Sequence, residues 1–339
     1  MRTPVKRISE QVIVITGASS GIGRATARLA AERGAKLVLN SRDEHDLPEL
    51  TTALRTRGAT VAMVVGDVAD PDAMAALAET AVRELGGFDT WVNNAGVSIF
   101  GRIEDVPVAD ARRLFETNYW GVVNGSLAAV SHLRESGGTL INVGSILSDT
   151  GYPLQGHYTA SKHAVKGFTD SLRLELEHDR APVSVTLIQP AAIDTPYPEH
   201  ARSFLGVQPK HLPPVYAPQI VAEAILDCAE HPKRNVLVGG SAKLFQTMER
   251  LAPRLWDRLK EAMAFDSQSS DEPPGADTLY TPRPSDAREH GRYPGWVRKS
   301  SLYTKAQRHR ERLLAGLALA GAGAGAGYVL AKQAGRGRR

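Results

Sequence analysis

The 339-residue sequence predicts an α/β fold: a doubly wound parallel sheet of about seven strands with helices on both faces. Three observations lead there. Seven short runs rich in β-branched residues are apolar almost from end to end, as strands buried on both faces are. Longer segments with apolar residues at helical spacing stand between them. A glycine-rich turn follows the first run directly.

The elements follow in order. VIVIT (12–16) opens the sheet, and GIGRATARLAAERG, starting at Gly21, carries the chain back to KLVLN (36–40). TVAMVV (60–65) and DTWVN (89–93) flank the helical DAMAALAETAVREL. TLINV (139–143) and SVTLI (184–188) flank KHAVKGFTDSLRLELEH, and NVLVG (235–239) completes the set. Each β–α–β step implies a right-handed crossover. A further helix is expected over 241–262, so that residues 1–262 read as one domain. Residues 263–304 turn Pro-, Ser- and Asp-rich (DSQSSDEPPGAD, TPRPSDAREHGRYPG), the composition of an extended linker. A basic-flanked tail, 305–339, encloses LLAGLALAGAGAGAGYVLA (313–331).

Composition sets the class. Hydrophobic and charged fractions of 42% and 23% are those of a soluble globular protein. The single cysteine, Cys228, excludes an internal disulfide, suits a reducing cytoplasm and lies in an apolar helical pattern, where a core residue is expected. MRTPVKRISEQ lacks the apolar stretch of a secretory signal. The last 39 residues hold eight Lys/Arg against one Glu, a balance of +7, which leaves −3 of the formal +4 for residues 1–300. The body therefore lacks the basic footprint of a nucleic-acid binder, and no such partner is expected. Nineteen helical residues at 313–331 would reach about 28 Å, near the ~30 Å of a bilayer core. Four glycines in seven residues each cost a helix about 1 kcal/mol. A docked or unstructured tail, a weak peripheral contact with anionic lipid and a spanning helix all stay open.

Directly after the first strand stands Thr16-Gly17-Ala18-Ser19-Ser20-Gly21-Ile22-Gly23. Gly17 suits a tight turn, Gly21 lets backbone approach a pyrophosphate, and Gly23 lets helix and strand pack closely. The helix start offers free N–H groups and the positive dipole end to the phosphates. At the end of the second strand, Asn40-Ser41-Arg42 stands where a carboxylate would grip a ribose 2′-hydroxyl. Arg42 can instead pair with a 2′-phosphate, so NADP(H) is expected, with NAD(H) as the alternative. Asp67, before Val68, could accept from an adenine amino group or simply start a helix. Asn94, Ala95 and Gly96 close the fourth strand at the carboxyl edge, where open α/β sheets bind ligands.

In HYTASKHAVKGF, Tyr158 and Lys162 are four apart and share a helix face. A nearby ammonium pulls a phenol's pKa down from about 10, which suits proton transfer near neutral pH. The set TGASSGIG, DV, NNAG, Asn118, Ser145, YTASK and a downstream P-x-x-x-D-T resembles the short-chain dehydrogenase/reductase superfamily over roughly 8–245. Ser145 precedes Tyr158 by 13 residues, and TGxxxGxG resembles the compact oxidoreductase branch rather than the epimerase branch.

This resemblance implies a Rossmann-type fold and hydride transfer between a nicotinamide and a carbonyl or alcohol. It implies Tyr158 as the acid, or the base in oxidation. Lys162 would lower its pKa and bond the nicotinamide ribose. Ser145 would bond the substrate oxygen, and Asn118, mid-helix, would steady a water in a proton relay. Pro190, Ile193 and Thr195 would line the nicotinamide side, with Thr195 on the carboxamide. Read singly, Ser145 could cap a helix, and Asn118 and Lys162 could be solvated. Ala191 departs from the Pro-Gly usual in the family, which suggests a stiffer loop. The variable region 196–218 is apolar and proline-rich, so a medium-sized apolar ketone or alcohol is expected, with no metal. The resemblance also implies a homo-oligomer built through helices near 108–135 and 157–178. A non-catalytic nucleotide sensor or scaffold is the rival from another class.

Overall fold

A computed structural model describes residues 5–283 and 286–308. Seven parallel strands form one sheet: β1 (Val12–Thr16), β2 (Lys36–Ser41), β3 (Val61–Val65), β4 (Thr90–Asn93), β5 (Gly138–Val143), β6 (Val183–Pro190) and β7 (Asn235–Val238). Their spatial order is β7-β6-β5-β4-β1-β2-β3. The winding therefore reverses between β1 and β4, and a crevice opens beyond the carboxyl ends of those two strands.

Helices cover both faces because the strand side chains alternate between two cores. Ile13, Ile15, Leu37 and Leu39 pack with residues of α1 (Gly21–Glu32), α2 (Asp46–Thr56) and α8 (Pro218–Glu230). Val12, Val14 and Val38 pack on the other side. Their partners come from α3 (Pro71–Leu85), α5 (Gly121–Ser136) and α6 (Gly156–His178). Each fully buried aliphatic side chain contributes about 1.5–3 kcal/mol, so the two cores together hold in place the strands whose carboxyl ends border the crevice. The helix α4 (Val108–Phe115) runs into α5 through a π-helical turn, Glu116–Trp120. Such turns interrupt the regular ladder and often mark functional sites.

Two expectations meet a different outcome. The helix expected over 241–262 is two helices, α9 (Gly240–Leu251) and α10 (Pro253–Ser267). Pro253 has no N–H for the i→i−4 ladder and starts the second helix instead. The stretch read as an extended linker begins inside α10. Beyond it the backbone is mostly irregular, yet it lies on the body. Val297–Arg298 pairs in parallel with Val215–Tyr216, and Arg28 grips Glu289 at 2.7 Å. The stretch 313–331 lies outside the described residues. Among the described residues, no helix is long and apolar enough to cross a membrane.

Candidate active site

The glycine-rich turn is held by the end of β4. Asn94 Nδ2 donates to the carbonyls of Thr16 (3.0 Å) and Gly17 (3.1 Å), and its backbone N–H donates to Thr16 Oγ1 (3.0 Å). Gly17 has φ +62°, and a Cβ there would stand 2.7 Å from Ala95 Cα. At Gly23 an added Cβ would come within 2.1 Å of the Gly17 carbonyl oxygen. The turn and the first helical turn are thus pressed together, which leaves bare backbone facing the crevice. Ser19 and Ser41 hydroxyls bond across it at 2.9 Å.

At the end of β2, the guanidinium of Arg42 is mostly buried, and desolvation lowers its pKa from the ordinary value. Asp67 lies 3.7 Å from Arg42 and is paired more closely with Arg113 of α4. Its other oxygen accepts from the Ala69 N–H at 3.0 Å. Asp67 is therefore already engaged, and it stands behind Gly66 and Val68, which line the crevice. Arg113 was not legible as a site residue, because only the tertiary fold brings α4 against the β3 end.

The chemical end is built on α6. Tyr158 and Lys162 share its buried face, and the Lys162 Nζ stands 5.7 Å from the Tyr158 ring centroid while donating to the Val143 carbonyl at 3.0 Å. Ser145 and Tyr197 stand near enough to the Tyr158 hydroxyl to offset part of the effect of burial on it. Burial pushes the phenol up to about 12, and burial pushes the Lys162 ammonium down to about 8. The expectation that Lys162 lowers the Tyr158 pKa is thus outweighed here: desolvation dominates, and the ammonium spends a hydrogen bond on a backbone carbonyl. Ser145 Oγ also accepts from the Leu147 N–H at 3.1 Å, so it both caps a 3-10 turn and reaches Tyr158.

Asn118 sits in the π-helical turn, fully buried. Its Oδ1 accepts from the Val97 N–H at 2.8 Å, and its Nδ2 donates to the Val97 carbonyl (2.9 Å) and Ser161 (3.1 Å). Both Asn118 and Lys162 flank Gly96, where an added Cβ would stand 3.4 Å from Asn118 Oδ1 and 3.8 Å from Lys162 Nζ.

One crevice joins these parts. Gly17, Ser19, Ser20, Gly21 and Ile22 line its phosphate end, with Ser41, Arg42 and Val68 beyond them. Asn94, Ala95 and Gly96 form its floor. Ser145, Tyr158 and Lys162 line the far end, facing Pro190, Ile193 and Thr195. Gly23, Asp67 and Asn118 adjoin these residues without lining the crevice directly. Non-glycine positive φ occurs only at Leu154 and Arg180 among the described residues, so Ala191 carries no such strain. The crevice is also lined by Leu147, Tyr152, Leu212 and Phe245, side chains that give it apolar surface.

Tyr197 is the main residue that sequence reasoning missed. Its hydroxyl accepts from Ser98 (2.7 Å) and donates to Gln155 (2.8 Å). Its ring stacks on that of His211, whose burial pushes its pKa down to about 4. Its place inside the variable loop was the only signal available. Among the described residues, no group of three or more His, Cys, Asp or Glu could hold a metal ion.

A family model described as short chain dehydrogenase matches residues 11–205. The chain belongs to the short-chain dehydrogenase/reductase family. The "Uncharacterized oxidoreductase YxnA" of Bacillus subtilis is 48% identical to this short-chain dehydrogenase over 307 residues, covering 89% of this chain and 86% of that protein. The "Putative oxidoreductase SadH" of Mycobacterium tuberculosis is 33% identical over 74% of this chain and 94% of its own length. A short-chain dehydrogenase/reductase from Burkholderia phymatum in complex with NAD superposes with a TM-score of 0.66 at 27% identity, covering 75% of this chain and 96% of its own. One from Burkholderia cenocepacia in complex with NADP gives 0.63 at 27% identity, with coverages of 75% and 99%. This short-chain dehydrogenase is an oxidoreductase by family, and about a quarter of its chain lies outside the shared fold.

Proposed function

We propose that the enzyme interconverts a ketone or aldehyde and an alcohol by hydride transfer with NADP(H), using Tyr158 as acid and base. The observation that carries this reading is the convergence of Tyr158, Ser145 and Lys162 at one end of a crevice whose other end holds the glycine turn and Arg42. A dinucleotide fits these residues. Positive φ at Gly17 and Gly21 and the bare backbone along the turn suit a pyrophosphate, and Arg42 suits a 2′-phosphate.

The reduced nicotinamide, when bound, supplies the hydride. As charge develops on the carbonyl oxygen, Ser145 Oγ and Tyr158 Oη hold that oxygen, and Tyr158 gives up its proton. A phenol at about 12 is fully protonated at neutral pH and still far more acidic than the alcohol formed. Lys162 keeps a positive charge behind the phenol below about pH 8. Asn118, beside Lys162 across Gly96, is assigned the water that would carry protons inward. Leu147, Tyr152, Leu212 and Phe245 favour a medium-sized apolar substrate. The exposed Val108, Trp120, Leu127 and Leu174 on α4, the π-helical turn, α5 and α6 support a homo-oligomer formed through those helices. A non-catalytic sensor has no need of Tyr158, Ser145 and Lys162 together.

One observation favours NAD(H) as a second reading: Asp43 and Asp46 line the same end of the crevice as Arg42. Titrating the protein with NADPH and NADH, alongside Arg42→Asp, separates the two. Tighter NADPH binding that reverses in the variant supports NADP(H). A preference for NADH that the variant leaves unchanged favours NAD(H). Absence of hydride exchange with a broad panel of ketones and alcohols would return the sensor reading.

A further inference from the structure

Residues 278–283 and 286–292 touch both walls of the crevice. On the β2 side, Arg42 Nη2 donates to the Thr278 carbonyl at 2.7 Å. Its Nη1 donates to the carbonyls of Leu279 (3.4 Å) and Tyr280 (3.3 Å). Arg113 Nε donates to the Leu279 carbonyl at 3.2 Å. On the opposite wall, the Gly21 N–H at the start of α1 donates to the Arg288 carbonyl at 2.8 Å. His290 meets Asp194 at 2.8 Å, and a Cβ on Gly291 would come within 2.5 Å of the Thr195 carbonyl oxygen. Thr278, Pro282, Arg283 and Asp286 line the crevice itself.

We infer that residues 278–283 and 286–292 are the outer wall of the nucleotide site: they aim the Arg42 guanidinium, close the crevice between α1 and the end of β2, and make nucleotide exchange depend on their detachment. The inference rests on the nucleotide-binding reading given above.

The chemistry of the contacts supports positioning rather than neutralisation. Three backbone carbonyls take part of the guanidinium's five-donor set and fix its plane, yet carry no net charge, so the cation still attracts a phosphate. The Gly21 amide, Arg42 and the Thr195 loop, all at the nucleotide crevice, are in contact with these two segments, and the Arg288 carbonyl takes the Gly21 N–H itself, so that detachment frees it for a phosphate. The wall is fastened by ion pairs to α1 and to the Tyr197–His200 helix. Glu289 is held by Arg28 at 2.7 Å, while Glu199 accepts from Arg288 (2.6 Å) and from the Arg292 N–H (2.6 Å).

The test is a Glu199→Ala/Glu289→Ala double variant of the full chain, with association and dissociation of NADPH and NADH followed by stopped-flow fluorescence. Loss of these partly buried anchors makes detachment about tenfold more frequent, so both rate constants rise about tenfold for whichever nucleotide binds, whereas rates within about twofold of the parent overturn the inference. Hydrogen exchange on the parent protein gives a second readout should the variant fail to fold. Saturating nucleotide should slow exchange across 278–283 and 286–292, and unchanged or faster exchange there overturns the wall. Equal equilibrium affinity for NADPH and NADH in the parent protein would remove the 2′-phosphate reading alone, since the exchange rates can be read with either nucleotide.

Discussion

The rings of Tyr158 and Tyr197 meet edge to face, with centroids 5.4 Å apart and planes at 67°. Tyr197 continues outward to Ser98 and Gln155, and Gln155 to Gln268 of the C-terminal region at 2.6 Å. Tyr158 therefore packs against the inner end of a chain of largely buried polar groups. Replacing Tyr158 by Phe should lower single-turnover reduction by about 10²–10⁴-fold while nucleotide affinity stays the same. Tyr197→Phe keeps the ring contact but leaves Gln155 and Ser98 without their partner, and a loss of about tenfold is expected. A Tyr158→Phe enzyme with half the parent rate would exclude Tyr158 as the acid.

The two pKa values of the site give opposite pH trends for the two directions. Lys162 is charged below about 8 and loses its charge as pH rises through that value. Tyr158, raised to about 12, stays protonated across the whole range in which the enzyme is assayed. Carbonyl reduction should be level below pH 8 and decline above it. Alcohol oxidation, which needs the phenolate, should climb with pH throughout. Profiles of kcat/KM in both directions check this, and Lys162→Arg should remove the decline near 8. A reduction rate that stays level through pH 9.5 in the parent enzyme would show that the ammonium charge plays no part.

How far the sequence exposes these features depends on how local they are. The strands are legible to within one or two residues because each is an apolar run bounded by turn formers, and burial on both faces leaves no polar side to confuse the pattern. The glycine turn and the Tyr158–Lys162 pair are local motifs, so their positions follow from spacing alone. Pro253 was equally visible, and its break in the helix over 241–262 follows from the missing N–H. Arg113, Tyr197 and the wall at 278–283 and 286–292 are different. Each owes its place at or beside the crevice to tertiary contacts that no periodicity encodes. A Pro- and Ser-rich composition says that a segment lacks regular structure. It does not say whether carbonyls freed from a ladder face water or, as at Thr278 and Arg288, a guanidinium and a helix start.

Two glycine substitutions should move stability in opposite directions. Gly23→Ala would place a methyl 2.1 Å from the Gly17 carbonyl and 2.6 Å from Asn94 Nδ2, so the turn has to shift. A cost of about 1–3 kcal/mol is expected, with weakened nucleotide binding because the phosphate turn itself is displaced. Gly167 lies within α6 with nothing within 4 Å of an added Cβ. Gly167→Ala should stabilise by about 0.5–1 kcal/mol and leave binding unchanged. Urea unfolding with parallel nucleotide titration reads both effects. Equal nucleotide affinity in Gly23→Ala and the parent would mean that the turn does not hold the phosphates.

Asp286 links the wall to α7 (Tyr197–His200), and its contribution should depend on pH. Burial alone would push its carboxyl up, but hydrogen bonds from His200 (2.9 Å) and Arg288 (2.7 Å), together with their charges, hold it at about 2. Its folded value thus lies below the unfolded value of about 3.9, so the stabilisation is complete above pH 4 and disappears as pH falls through 2. Asp286→Asn should lower stability at pH 7 by about 1 kcal/mol or less, since the group is partly screened by solvent. The backbone N–H of residue 286 still reaches Asp46 Oδ2 at 3.1 Å, so part of the attachment survives in the variant. Urea midpoints of variant and parent should differ at pH 5–7 and converge as the pH is lowered toward 2. A difference of constant size down to pH 2 would assign the effect to the shape of the side chain rather than to its charge.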